Sequence, residues 1–275
     1  MQIRFVIPVI LLVASSLAHA QSAPAGKTPE QLAAELKWLK PGEVGRIADK
    51  AEFHVKEGYT FLDNKDTDTF LKLNGNLPPG NAYTIASEKN RWFGVLSFTD
   101  DGYIKDDEKI DADALLKTLK ERNVAGNEEK RKQGVPTLTL EGWSFPPRYD
   151  TETKRLEWGT RLRAQDNNQE VVNVSTKILG RSGYTNAVLV TEPATMERDM
   201  ADFKVALKNF DYVSGEKYSE WKQGDKVAAF GLGALVLGGA AAVATSKGGF
   251  KMVFLAIAAG AAALWGGFKK FFGRK

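Results

Sequence analysis

Apolar positions in this chain follow three rhythms. Near the two ends they run together: residues 5–14, interrupted only by Pro8, and then 227–244 and 252–268. Between the ends they recur every second residue or at intervals of three and four, the periods of half-buried strands and amphipathic helices. Thr28, Pro29 and Gln31 supply an N-cap, a proline at the first helical position and a capping-box partner. They predict a helix that runs to about Leu39 and stops before Pro41-Gly42. Extended segments follow at 51–55 and 59–62, then a short helix from Asp66 through Leu73 with Gly75 as its stop. Strand-like alternation returns at 83–86 and 92–99, and Asp100-Asp101-Gly102 has the turn chemistry to lead into another strand at Tyr103-Ile104.

Asp111 opens the clearest helix of the middle region, with Ala112, Leu115, Leu116 and Leu119 on one stripe. Residues 126–134 read as a charged, flexible link to 137–140, so any sub-division of the domain falls near 126–136. Strands are then predicted at 143–149, 156–163, 171–179 and 186–191, separated by turns rich in Asp, Asn and Gly. A helix over 194–210 closes the region, burying Met196, Met200, Phe203, Ala206, Leu207 and Phe210. The pattern is α+β, with a largely antiparallel sheet and packed helices.

The ends carry a different message. Residues 1–20 combine Arg4, a short apolar run and an Ala18-His19-Ala20 exit, the form of a cleavable signal peptide. Residues 227–244 and 252–268 would each cover roughly 25 to 27 Å as helices, close to the thickness of the hydrocarbon layer. Between them 245–251 holds Lys247, Gly248, Gly249 and Lys251, suited to a tight reversal. Small residues four apart (Ala229 and Gly233, Ala234 and Gly238, Ala256 and Gly260) permit close helix contact in lipid. The expectation is a C-terminal transmembrane helix hairpin at 227–268 followed by a basic tail at 269–275, with 21–226 as the extracytoplasmic domain. The lysines after 268 argue instead for a single span, by the positive-inside bias.

Composition removes several classes of function. With no cysteine among 275 residues, disulfides, thiolate metal sites, thiol catalysis and lipoprotein anchoring are excluded. The formal charge of +4 belongs to the ends: the leader holds one basic residue and the stretch from Val227 onward six, with none of the acids. The domain between them is mildly acidic, which argues against nucleic acid as a partner.

Candidate chemistry is sparse. After the leader His54 stands alone, on a strand of alternating apolar residues, so neither a Ser-His-Asp triad nor a histidine zinc site can be assembled. Asp100, Asp101, Asp106, Asp107 and Glu108 are acidic enough for calcium but match no established loop spacing. Asp150 and Glu157, near Trp143, Tyr149 and Trp158, form a conceivable glycosidase pair with rings to stack on a sugar. The most distinctive surface is Trp143, Phe145, Pro146, Pro147, Arg148, Tyr149, Asp150 and Trp158. Neither proline can donate a ladder hydrogen bond, so the segment belongs at a sheet edge or in a loop.

The run Gly142-Trp143-Ser144-Phe145-Pro146-Pro147-Arg148-Tyr149-Asp150, continued by Thr153, Leu156 and Trp158, resembles the Gly-Trp…Pro-Pro-His-Tyr-Asp…Thr…Leu-x-Trp signature of a bacterial family of uncharacterised membrane-anchored proteins. Residues 210–228, from Phe210-Asp211-Tyr212 to Lys226-Val227-Ala228, are similar as well, and the resemblance extends from about Leu36 onward. It implies a periplasmic domain on a C-terminal anchor and brings no activity. Arg148 stands where the family has histidine, and arginine neither shuttles protons nor binds metal. The reading is therefore a periplasmic interaction or scaffolding module at the inner membrane, without catalytic residues, cofactor or metal, with the membrane and an envelope protein as partners. An envelope glycan hydrolase using carboxylates, and a small subunit of a membrane complex, are the alternatives. N-terminal sequencing of the mature protein is expected to start at Gln21; an intact Met1 would refute the leader.

Overall fold

The computed structural model describes residues 27–239 apart from 75, 77 and 133–135. In chain order the elements are α1 (Pro29–Ala34), β1 (Val44–Ile47), β2 (Ala51–His54), β3 (Tyr59–Leu62), α2 (Asn64–Leu73), β4 (Ala82–Ser87) and β5 (Phe93–Thr99). They continue with α3 (Ala112–Lys132), β6 (Leu138–Asp150), β7 (Arg155–Ala164), β8 (Glu170–Leu179), β9 (Tyr184–Thr191), α4 (Met196–Ala206), β10 (Phe210–Tyr212) and α5 (Leu232–Val236). Seven strands form one antiparallel sheet in the order β3-β4-β5-β9-β8-β7-β6, and β1-β2-β10 form a second, smaller one. The α+β expectation with a largely antiparallel sheet holds.

Successive side chains of a strand point to opposite faces, and the large sheet is apolar on both. On one face Phe61, Ile85, Leu96, Leu189, Val174 and Ile178 meet the small sheet and α4 through Phe53, Phe203 and Tyr212. On the other, α2 covers Phe93 and Val95, α3 covers Leu140 and Leu162, and the segment around α5 covers Leu156, Trp158 and Tyr184. Phe203 is fully buried, edge-on to Trp92 at 5.4 Å. Its ring lies where a Cβ at Gly94 would come within 2.6 Å, so the glycine is what lets α4 approach β5.

Several boundaries differ from expectation. α1 ends at Ala34, because Leu39 is drawn into backbone pairing with Phe61. β1 is not among the expected strands; its residues alternate exposed and buried, and Gly45 leaves room for the Phe61 ring, which would lie 2.4 Å from a Cβ there. Tyr103 is not part of a strand and makes a single parallel bridge to Val227. The expected link at 126–134 is helical as far as Lys132. Gly126 and Asn127 are buried where α3 lies against β6: Asn123 Nδ2 and Asn127 Nδ2 donate to the Leu138 carbonyl, and Asn123 Oδ1 accepts from the Leu140 amide.

The C-terminal transmembrane helix hairpin is corrected by the described part of residues 227–244. Among the described residues no helix is long and apolar enough to cross a membrane. Val227 is bridged to Tyr103, α5 is five residues long, and Gly238 and Gly239 take positive φ. The small residues admit a carboxylate: Glu108 accepts from the Gly233 amide at 3.0 Å and would collide with a Cβ at Gly231. Leu232, Leu235 and Val236 are buried against the sheet, and Arg122 donates to the Leu237 carbonyl. Apolar length suits a protein core as well as lipid, and here the core takes it. Residues 240–244, the second run at 252–268, the tail at 269–275 and the leader at 1–20 lie outside the described residues.

Phe203→Ala should cost about 3–5 kcal/mol in urea unfolding, as for other large core truncations. A loss below about 1 kcal/mol would show that α4 is not a principal cover of the sheet.

Candidate functional site

β6 is an edge strand of the large sheet, so Pro146 and Pro147 sit where no neighbour requires their missing N–H. Its register with β7 shifts between Leu140 and Gly142, Trp143 and Phe145, and Phe145 and Arg148. These irregularities sort the predicted surface residues. Trp143 pairs with Thr160 and Tyr149 with Leu156, on the face of Trp158; Phe145 pairs with Gly159, Arg148 with Glu157 and Asp150 with Arg155, on the opposite face.

The aromatic members are tied down. Trp143 Nε1 donates to the Ala112 carbonyl at 3.1 Å, and Tyr149 donates its hydroxyl to Asp106 at 2.7 Å. Trp158 is buried, and Phe145 packs over Gly159. Pro146, Arg148 and Asp150 are the exposed members. The Asp150 carboxylate accepts from the amides of Glu152 and Thr153, closing the β6–β7 turn and holding it below the usual carboxylate range. Glu157 is ion-paired to Lys204 at 2.7 Å. Asp150 and Glu157 therefore share one face while Tyr149 and Trp158 occupy the other, and the rings do not flank the carboxylates.

Tyr149 leads into a cluster that the local sequence did not reveal. Asp106 accepts from Tyr149 and from Lys154 Nζ at 2.8 Å, and Lys154 lies 5.0 Å over the Tyr218 ring. Tyr218 stacks on Tyr103 at 4.4 Å, and Trp221 leans on Tyr103 at 5.2 Å. Burial pushes the Asp106 carboxyl up, but hydrogen bonds from Lys154, Tyr149 and Tyr218 outweigh it and hold it below the carboxylate range. Burial, together with Asp106, pushes the Tyr149 hydroxyl up. The arrangement makes a rigid aromatic platform with Trp221 at its exposed rim. Its members lie far apart in the chain; the sole local hint is the density of aromatic residues in 210–221.

Two further polar nodes were also missed. The Asp202 carboxylate collects Tyr59, Ser87, Asn90 and Trp92 donors at 2.6 to 2.9 Å, locking α4 to β4 and to the β4–β5 turn. Lys177, 6% exposed, lies opposite Asn186 and donates to its Oδ1. The Trp158 and Tyr184 rings each lie 5.5 Å from its Nζ. Burial pushes Lys177 down to about 7. Covered by two rings and an amide, it is a buried proton site without an approach for substrate.

Four of the acids considered for calcium have other partners: Asp100 faces Lys226, Asp101 accepts from Tyr184, Asp106 from Tyr149 and Lys154, and Glu108 holds Gly233. Among the described residues no three of His, Cys, Asp and Glu gather as metal ligands do. His54 is exposed on β2, 3.8 Å from Glu52.

A family profile described as a protein of unknown function (DUF2167) matches residues 39–268. Comparison with curated proteins gives no match. Among solved structures, the solution structure of cyanobacterial PsbP (CyanoP) from Synechocystis sp. PCC 6803 is similar at 13% identity, over 70% of this chain and 98% of that one, with a TM-score of 0.35. So low a score carries no argument about fold or function.

The Lys177 site makes a pH prediction. Its pKa of about 7 in the fold lies below the unfolded value of about 10.4, so the unfolded chain binds the extra proton in between and stability rises with pH there. Lys177→Met should remove a rise of about 1.4 kcal/mol per pH unit from unfolding measured between pH 7.5 and 9.5. Equal slopes in the two proteins would mean that Lys177 stays charged in the fold.

Proposed function

The chain belongs to the DUF2167 family of proteins of unknown function, and from that premise we propose that it is a non-enzymatic interaction or scaffolding module of the bacterial envelope. In this reading it is exported, faces the periplasm, stays at the inner membrane and recognises another envelope protein. The carrying observation is the outer edge of β6. Asn123 and Asn127 close the backbone of that edge at Leu138 and Leu140, as a neighbouring strand would. Further along, the prolines offer no donor and the register slips, so strand addition is blocked and recognition falls to side chains. Pro146 and Arg148 are exposed there, on a strand whose other rings are fixed by hydrogen bonds and packing. A rigid edge loses little entropy on binding.

This side-chain chemistry suits contact rather than catalysis. Asp150 and Glu157 are engaged in a turn and an ion pair, and Arg148 can neither shuttle a proton nor bind metal.

The test is affinity capture of the full chain from detergent-solubilised envelope, comparing wild type with Pro146→Glu/Arg148→Glu. The double variant should keep its melting temperature and lose a specific partner by roughly thirtyfold or more, the size of a hot-spot effect of about 2 kcal/mol. Equal partner recovery with both chains would refute the β6 edge as the contact.

A further inference from the structure

Trp221 and Val227 are among the few large hydrophobic side chains left exposed, each at 40%, and they flank the same residue. Tyr103 lies between them. Its ring stacks on Tyr218 and meets Trp221, while its amide donates to the Lys226 carbonyl at 2.8 Å and its carbonyl accepts from Ala228 at 2.9 Å. The apolar pair is thus held on a fixed platform. Its surroundings are electrostatically sorted. Glu216 pairs with Lys50, Glu220 accepts from the amides of Gly215 and Lys217, and Asp225 is gripped by Arg181 through two hydrogen bonds of 2.6 and 2.8 Å. Glu216, Glu220 and Asp225 are turned onto internal partners, while Lys222 and Lys226 are exposed beside Trp221 and Val227; Lys226 faces Asp100, and exposed Lys105, Asp107 and Glu108 lie on the side of Val227. The chain also leaves at this end: Gly239 lies against Asp101 and Tyr184, next to Asp100, and the sequence beyond it holds the apolar residues 252–268 and the basic residues 269–275.

We propose that the end of the domain carrying Trp221, Tyr103 and Val227 rests on the headgroup layer of an anionic bilayer, with Trp221 as its interfacial anchor. The inference rests on the proposed attachment to the inner membrane and adds the orientation of the domain. A fixed indole with an apolar body and a polar edge suits the boundary between hydrocarbon and water, and neighbouring lysines suit anionic headgroups. Both occur where the chain departs toward its apolar sequence, which would keep this end close to the surface.

The absence of native cysteine makes the test direct. Lys222→Cys, with Val44→Cys and Val124→Cys as exposed controls elsewhere, would be labelled with bimane in the full chain. Each would be reconstituted into vesicles of phosphatidylethanolamine and phosphatidylglycerol containing headgroup-nitroxide lipid. Quenching at 222 should exceed both controls severalfold, and adding Trp221→Ala should reduce it at least twofold with the melting temperature unchanged. Equal quenching at all three sites in protein that floats with the vesicles overturns the orientation and leaves the attachment standing. A chain that does not float overturns both. Protection of 222 from iodide without nitroxide quenching assigns the surface to a second copy of the chain and overturns the lipid contact. Unchanged quenching after Trp221→Ala overturns the anchor role.

Discussion

On β8, Val172, Val174 and Ile178 point to one side and Val171 and Leu179 to the other, and both sets are buried. A central strand buried on both faces commits the whole fold, because each face needs its own cover. The cover on one side comes from β1 and β2, early in the chain, and from α4 and β10, late in it. On the other side it comes from α2, α3 and the segment ending in α5. The return of residues 227–239 onto the sheet follows from this need. Leu156, Trp158 and Tyr184 would otherwise face water, and Leu232, Leu235 and Val236 are at hand to bury them.

Polar groups inside such a layered structure have to be hydrogen-bonded, and they mark where the layers are fastened. Asp202 ties α4 to β4 and to the turn before β5 through four donors. Asp106 ties the turn after β6 to the approach to α3, and Glu108 ties that approach to the glycines before and within α5. Lys177 is fastened differently: its Nζ donates to the Asn186 amide oxygen between the Trp158 and Tyr184 rings, and burial pushes it down to about 7.

Local patterns were legible where the interaction itself is local. Thr28 and Gln31 make the reciprocal capping bonds that their spacing predicts, and the alternation over β7, β8 and β9 identifies three central strands. Legibility ended where the partner is distant. Tyr103 and Trp221, Glu108 and Gly233, and Asp202 with Trp92 are each separated by about a hundred residues, and nothing near either member announces the other. The glycines misled for the same reason. Gly126 reads as the start of a flexible link and Gly233 as a helix-contact residue in lipid. In the fold one lies in a buried stretch of α3 and the other makes room for a carboxylate. Of the predicted surface, Pro146, Arg148 and Asp150 remained outside, while Trp143, Tyr149 and Trp158 turned inward, because the β6 bulges assign faces that simple alternation cannot anticipate.

Those bulges connect the fold to the proposed role. A free edge beside a long apolar strand invites pairing with other chains, and this protein blocks it by three separate devices along one strand: asparagine side chains from α3, slipped register, and paired prolines. The opposite edge is shielded more simply, by the Leu39 backbone bonded to Phe61. A domain that suppresses backbone pairing at both edges leaves side chains as the means of specific contact. That directs attention to the few exposed features that are stiff as well as chemically distinctive, the Pro146-to-Arg148 edge and the Trp221 rim, which belong to different ends of the proposed contact, one toward a protein and one toward the membrane.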